Sequence, residues 1–392
     1  MRIVMPTTSY PASLEDYRGC FVADMAEGLA MRGHEVTVVA PSPGAHVPEL
    51  VVKGGLRIRR PSAPGNPAVT LFGRHGVMET LRREPGRLSE LPAALSTMGA
   101  VIREEGAGAD WILSNWMLPS GLVAGDIARR LGVRHGVIEH GGSVRILRRL
   151  PPFLVGRLVT RCRMDGIQFV SKDLRRTLLE GLPKGQSQRL AEHSFVMPAP
   201  ISPLKTGPAK DREGNRCLVV GRLNRGKGVH RLLDAFAPLQ KGSLTVVGDG
   251  PDGGQLKAQV ASLGLSSRVS FVGAVSPAKV HSMMRTHDLL VVPSLDSHEG
   301  SLEGTPRVVL EAFRAGICVL ASRTGGIPDL VEHRRSGWLT TPGSASELRH
   351  GMATLLGDSN LRRALARTGQ ENLPQYSVDA WLNSWSNLLS QV

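Results

Sequence analysis

Residues 296–329, DSHEGSLEGTPRVVLEAFRAGICVLASRTGGIPD, decide how the rest of the chain is read. Gly304-Thr305-Pro306 is a helix start: Thr305 can cap, Pro306 suits the first helical position, and Val308, Val309, Ala312 and Phe313 recur at helical spacing. The spacing predicts a helix from about Pro306 to Ala315, ended by Gly316. Its N-terminus presents backbone N–H groups, those of Arg307 and Val308 among them, at the positive end of a dipole, which suits a phosphate. Glu303 stands just before that end and Glu311 lies on the helix, so the two carboxylates can address different parts of one ligand. Such a ligand carries phosphate in the middle and hydroxyls at both ends, as a nucleotide sugar does. Taken singly, each glutamate reads equally well as a solvated helix-end charge.

Glu303 and Glu311, seven residues between them, followed by Gly325-Gly326-Ile327-Pro328-Asp329, resemble the pattern of the retaining nucleotide-sugar glycosyltransferases of family four, also called glycosyl transferase group one. The resemblance implies an α/β fold of the GT-B type: two Rossmann-like domains facing across a cleft that holds the donor, with the C-terminal helix crossing back to the N-terminal domain. The expected division is an acceptor-side domain at 1–198, completed by 376–392, and a donor-binding domain at 199–375.

Composition bounds this reading. A chain of 392 residues, 41% hydrophobic, suits two cores better than one. No run of roughly eighteen apolar residues exists; the best stretch, 111–125, is broken by Asn115, Pro119 and Gly121. The opening MRIVMPTTSYP reads as a first strand rather than a secretory signal, which points to a cytoplasmic protein. Cys20, Cys162, Cys217 and Cys318 are scattered without metal-ligand spacing, so they are expected to be free thiols and no metal site is expected. The formal charge of +14 is shared: 26 basic against 18 acidic residues over 1–200, and 22 against 16 over the rest, or +8 and +6. With 4% aromatic residues and no recognition motif, charge alone does not make a nucleic-acid-binding protein, and no nucleic acid is expected as a partner.

The first half begins as a doubly wound sheet. Arg2 to Met5 reads as a strand, Asp16 to Arg32 as a helix, and Val36 to Ala40 as the next strand. Gly19 lies in the connecting loop, where it either admits a phosphate or acceptor or simply makes a turn; relatives carry a paired glycine where this chain has Arg18-Gly19. Residues 41–90, rich in Pro, Gly and Arg, show one strand at Leu56 to Arg60. Strands follow at Trp111 to Ser114 and Val133 to Glu139, the latter delivering His140-Gly141-Gly142-Ser143 at its carboxyl end, where ligands collect in such sheets. The resemblance assigns His140 to the transferred sugar, near its reacting carbon, and many relatives have Asp where Ser143 stands. From 145 to 163 the chain holds Arg145, Arg148, Arg149, Arg157, Arg161 and Arg163 without an acid, interleaved with apolar residues. That stretch reads evenly as an anionic-membrane surface, which would make the protein peripheral on the inner face of a membrane, or as a helix hairpin broken at Pro151-Pro152 with its apolar side on the sheet.

The second half repeats the pattern. Cys217 to Gly221 is a strand, and 222–228, RLNRGKG, leads into a helix from Val229. Arg222 and Lys227 flank this loop and can converge on a diphosphate, the role the resemblance also implies; the ending is not that of a Walker loop. Leu244 to Gly248 is a strand whose Gly248-Asp249-Gly250-Pro251 turn resembles the family's turn near the nucleotide. Strands follow at Val269 to Val272, Leu289 to Val292 and Ile317 to Ala321, and the base is expected between the first two. Gly325-Gly326 lets backbone approach the donor sugar. Trp381, Trp385 and Leu388 form one face of a C-terminal helix.

No Asp-x-Asp triad appears, so transfer is expected to need no metal or other cofactor, with Arg222, Lys227 and the helix N–H groups neutralising the leaving diphosphate. Glu311 would hold the ribose and Glu303 a hydroxyl of the donor sugar. The function implied is transfer of a hexose-type sugar, with retention, from a UDP-sugar by preference or a GDP-sugar, to a hydroxyl on a glycan, lipid-linked or small-molecule acceptor. Still open are a nucleotide-sugar epimerase or phosphorylase of the same fold, and a basic binding protein without transferase activity.

Overall fold

The computed structural model describes residues 1–13, 15–42, 50–60, 80, 84–201, 215–296 and 304–389. The chain divides into two compact units: Met1–Val170, Leu174–Ser202 and Val378–Val392 form the first, and Ser171–Asp173 and Pro203–Ser377 the second.

The first unit is built on β1 (Arg2–Pro6), β2 (Glu35–Val39), β3 (Leu50–Lys53), β4 (Leu56–Arg59), β5 (Trp111–Asn115), β6 (Arg134–Glu139), β7 (Gly166–Phe169) and β8 (Ser194–Val196). They lie in the order β3-β4-β2-β1-β5-β6-β7-β8, all parallel except the antiparallel β3–β4 pair. The apolar runs of Ile3 to Met5 and Val137 to Ile138 are almost wholly buried, as a parallel sheet covered on both faces requires. Strand order reverses between β1 and β5, so the loops after these strands flank the crevice where a doubly wound sheet takes its ligand.

The second unit carries β9 (Arg216–Val220), β10 (Ser243–Val247), β11 (Val269–Gly273), β12 (Leu289–Val292), β13 (Cys318–Ser322) and β14 (Trp338–Thr340) in the order β11-β10-β9-β12-β13-β14. Every pair is parallel, and the reversal falls between β9 and β12. Its core gathers Leu232, Phe236, Leu289, Val291, Leu320 and Met352. The sequence suggests a base between 269–272 and 289–292, yet β11 is an edge strand separated from β12 by β10 and β9. Two strands escape a periodicity argument: β3, paired as a short hairpin across Gly54-Gly55, and the three-residue β14.

The first helix is shorter than its apolar spacing predicts, running from Cys20 to Ala30. Asp16 is the reason. Its carboxylate accepts the N–H groups of Ala12 and Arg18 and the Arg18 guanidinium, closing a polar loop that competes with helix at 16–19. Burial opposes ionisation of Asp16, but its bonds to Arg18 and to the backbone win and hold its pKa below the ordinary value.

The C-terminal helix, Val378–Leu389, packs within the first unit. Trp381, Trp385 and Leu388 are buried, and both indole N–H groups donate to one oxygen, Oε1 of Gln168 on β7, at 2.6 and 3.1 Å. The Gln168 amide nitrogen donates in turn to the Met197 carbonyl at 2.7 Å. Gly136 and Gly166 leave room for this helix: a Cβ there would stand 2.9 Å from Trp385 and 2.7 Å from Leu388. Trp381→Ala should therefore lower the unfolding free energy by about 3–5 kcal/mol, the usual cost of emptying a buried aromatic site. Equilibrium urea unfolding measures it, and a loss below about 1 kcal/mol would contradict the packing described.

Candidate functional site

In the second unit, the loop 221–228 leaves the carboxyl end of β9 at the reversal of strand order. It is gripped on both sides by backbone. Leu223 N–H donates to the Asp249 carbonyl at 2.9 Å, and Leu295 N–H to the Gly226 carbonyl at 2.9 Å. A Cβ on Gly248 would lie 1.9 Å from the Gly221 carbonyl oxygen, so glycine there is demanded by the neighbouring loop whether or not a ligand comes near. Arg222 is exposed and pairs with no acid among the described residues. Lys227 is half-buried, its Cδ and Cε running close beside Gly221. One end of this sheet thus presents two cations on a loop held by main-chain contacts.

The helix after β12 runs from Arg307 to Ala315, with Gly316 in the left-handed conformation at its C-terminus. Pro306, not Thr305, is the capping residue, and no side chain caps the helix start. The extended backbone of Pro306 places the helical turn one residue later than the sequence suggests. Val308 is half-exposed in the first turn, and Thr305 is half-buried with Oγ1 beside Gly326. Gly326 N–H donates to the Gly304 carbonyl at 2.8 Å, which ties the Gly325-Gly326 loop after β13 to the segment entering the helix. Glu311 lies one helical turn in, 20% exposed, its Oε1 3.1 Å from Arg307 Nε. Glu303 lies outside the described residues.

In the first unit, His140 follows β6. Its ring packs on Phe21 and Trp116, with centroids 4.6 and 5.0 Å apart, and its Nε2 donates to Asn115 Oδ1 at 2.9 Å. Removal from water pushes its pKa down to about 3, so the imidazole is neutral at any working pH. Glu139, wholly buried, reads from sequence only as the end of a strand, yet its carboxylate fixes the loop around His140. Oε1 accepts the N–H groups of Gly141 at 2.8 Å and Ser143 at 3.2 Å, and Oε2 that of Met117 at 3.1 Å. Burial raises the Glu139 pKa above the ordinary carboxylate value despite these bonds and one from the Ser143 side chain. Ser143 is itself buried and accepts the Leu118 N–H at 3.0 Å, so it supports the loop.

Trp116 has φ +67°, unusual for a bulky residue, and is held there between β6, through its N–H to the Ile138 carbonyl, and the Glu139-bound Met117. Asn115, Trp116 and Phe21 do not stand out in the sequence as site residues; the available signal is an aromatic immediately after a buried strand at the sheet's reversal. Gly19, the residue before the first helix, has φ +64°, and a Cβ there would stand 2.3 Å from the Ser9 carbonyl oxygen. Its local packing accounts for it.

The basic stretch forms helices Gly142–Leu147 and Pro152–Arg161. Val144, Leu147, Val155 and Val159 are buried, whereas Arg148, Arg149, Arg157 and Phe153, the last 73% exposed, reach solvent. Arg163 and Arg161 pair with Asp126 at 2.9 and 3.9 Å. Among the described residues no helix is long and apolar enough to cross a membrane.

These two largely parallel sheets with their glycine-bearing loops have solved counterparts. The structure of HepE from Anabaena in complex with UDP-glucose superposes with a TM-score of 0.71 over 100% of both chains at 20% identity, and the fold is GT-B. The family model described as Glycosyltransferase Family 4 matches residues 20–188, and that described as Glycosyl transferases group 1 matches residues 203–372. A 2-deoxystreptamine glucosyltransferase of Streptomyces kanamyceticus is 30% identical over 64% of this chain and 68% of its own length. A GDP-mannose-dependent alpha-(1-6)-phosphatidylinositol monomannoside mannosyltransferase of Mycobacterium tuberculosis is 27% identical over 94% and 93%. The chain belongs to the group 1 glycosyl transferases. The first curated relatives it matches align over only 34%, 34% and 44% of their own length.

The neutral state of His140 has a direct consequence. A histidine whose folded pKa lies below its unfolded value gives stability that is complete above about pH 6.5 and is lost as pH falls toward 3. Nitrogen-15 NMR of histidine-labelled protein should show the His140 ring neutral and untitrated from pH 8 to 5; a midpoint above pH 6 would contradict its desolvation between Phe21 and Trp116.

Proposed function

We propose that this chain transfers a hexose-type sugar from a nucleoside diphosphate sugar, UDP-linked by preference and GDP-linked as the second choice, to an acceptor hydroxyl with retention at the anomeric carbon. One observation carries the reading. The Arg222/Lys227 loop and the uncapped helix start at Arg307 leave the carboxyl ends of β9 and β12, adjacent strands at the point where strand order reverses. Two cations and a helix N-terminus at one sheet edge suit a diphosphate, and Glu311 one turn along suits a ribose.

In this reading the bond from the anomeric carbon to the diphosphate oxygen breaks while the acceptor oxygen bonds to the same face. The acceptor proton passes to the departing phosphate oxygen. Arg222, Lys227 and the first-turn N–H groups of Arg307 and Val308 stabilise the developing charge, a compensation that requires no metal. Glu303 takes a hydroxyl of the donor sugar, Thr305 and the Gly325-Gly326 backbone border it, and the neutral His140 orients the reacting sugar. The relative named for GDP-mannose and the fold neighbour holding UDP-glucose support both donor bases.

UDP or GDP at a hundred times its dissociation constant should stabilise the protein by about 2.7 kcal/mol in a thermal melt. Arg222→Ala should lose most of that shift, and Glu311→Ala, folded by circular dichroism, should turn over at least about tenfold more slowly. Proton NMR of the first product would show the donor's anomeric configuration. Inversion, or isomerised donor without a glycoside, sinks the proposal.

The same reading includes a lipid-linked acceptor met at an anionic bilayer. Arg148, Arg149 and Arg157 are exposed, pair with no acid among the described residues, and flank Phe153. Each arginine near such a surface contributes about 1 kcal/mol. Wild type should sediment with phosphatidylglycerol vesicles and not with phosphatidylcholine vesicles, and Arg148→Glu with Arg149→Glu should abolish this. Failure of the wild type to sediment with either vesicle would remove the membrane from the account, and equal binding to both would remove the arginines' part in it.

A further inference from the structure

Arg307 is misplaced by the rules of an isolated helix. A cation in the first turn faces the positive end of the dipole, and a pair with the basic residue N-terminal to the acidic one at i,i+4 is the weaker orientation. Yet its guanidinium is mostly buried, 18% exposed, with Nε on Glu311 Oε1. Local disagreement of this kind concentrates where a site is built.

The other oxygen of Glu311, Oε2, accepts no hydrogen bond from the described residues. Of the neighbouring basic groups, His281 on the helix Pro277–Met284 is held below its ordinary pKa by burial, with Arg314 and Arg285 acting in the same direction and Glu311 opposing them. It therefore stays neutral near pH 7 and adds no charge to the carboxylate. Among the described residues Arg307 is the ion-pair partner of the Glu311 side chain, committing one oxygen and leaving the second for a ligand.

We propose that Arg307 is a positioning residue: by holding Oε1 of Glu311 it aims Oε2 at the ribose hydroxyls of the nucleotide, and so sets the preference for ribose over deoxyribose. This rests on the assignment of Glu311 to the ribose made above. A carboxylate free to rotate would also accept a hydroxyl, but one already clamped has less conformational freedom to lose on binding. Arg suits the task better than Lys because Nε lies in a rigid plane that fixes the carboxylate's rotation.

The test is the ratio of dissociation constants for nucleotide and 2′-deoxynucleotide, measured calorimetrically with UDP against dUDP and GDP against dGDP. Wild type should prefer the ribonucleotide by about tenfold or more, a charge-assisted hydrogen bond. Arg307→Met, of similar length and uncharged, should bring the ratio near one while the deoxynucleotide binds almost as before. Arg307→Lys should keep an intermediate ratio, and Glu311→Gln should lower it as Arg307→Met does. If Arg307→Met weakens ribo- and deoxynucleotide equally, its guanidinium serves the phosphates and the positioning role is overturned. If the variant keeps the wild-type ratio, Arg307 merely packs and the role is overturned too. A wild type that binds both sugars equally defeats the ribose assignment of Glu311 itself, and no binding of either nucleotide defeats the donor reading; each is seen before any variant is made.

Discussion

Main chain touches main chain where the loops leave the carboxyl ends of the second sheet, and that constraint governs what the site can be. Gly248 admits no Cβ because the Gly221 carbonyl oxygen would be 1.9 Å away, and Gly228 none because the Pro293 carbonyl oxygen would be equally near. Backbone packed this closely cannot drift, so Arg222 and Lys227 project from a rigid base. A loop stiffened this way loses little further entropy when it meets an anion. The helix beginning at Arg307 is set by the same means, through the bond from Gly326 N–H to the Gly304 carbonyl.

The first unit solves its own version of the problem with a buried carboxyl group. Glu139 lies at the end of a strand among apolar neighbours, where a carboxylate is costly unless it is satisfied. Three backbone N–H donors from residues on two segments satisfy it, and in doing so fix the turn that carries His140. The histidine is left neutral and flanked by aromatic rings, which suits the orienting role proposed for it and not proton delivery. The strained Trp116 is tolerated there because the Ile138 carbonyl and the Glu139 carboxylate bracket it.

The legibility of these features in the sequence follows their range. Strands β9, β10, β12 and β13 and the helix after β12 are readable to within a residue or so, because buried apolar runs and a terminal glycine are local signals. The C-terminal stripe of Trp381, Trp385 and Leu388 is readable as an apolar face, but its anchor, one oxygen of Gln168, depends on a residue more than two hundred positions away. Glu139 is invisible as a site residue for the same reason: nothing beside it announces that Met117 will supply a donor. Asp16 shortens the first helix through bonds at i+2 and i−4, which apolar periodicity does not register. Gly19 and Gly248 stand in the right loops, yet what demands glycine at each is a neighbouring carbonyl, brought up by the folding of its own loop at Gly19 and by strand order at Gly248.

The contrast between the two units bears on how one chain divides chemical labour. The second unit's edge gathers charge and donors: a pair of cations, a helix start without a side-chain cap, and a carboxylate already bound on one side by Arg307. The polar groups of the first unit's edge are committed internally, Glu139 to backbone and the His140 Nε2 to Asn115. Under the proposed reaction, a group that compensates developing charge needs to be ionised beforehand, whereas one that only orients a sugar is best kept neutral. Desolvation enforces that neutrality at His140 without any help from a neighbouring charge.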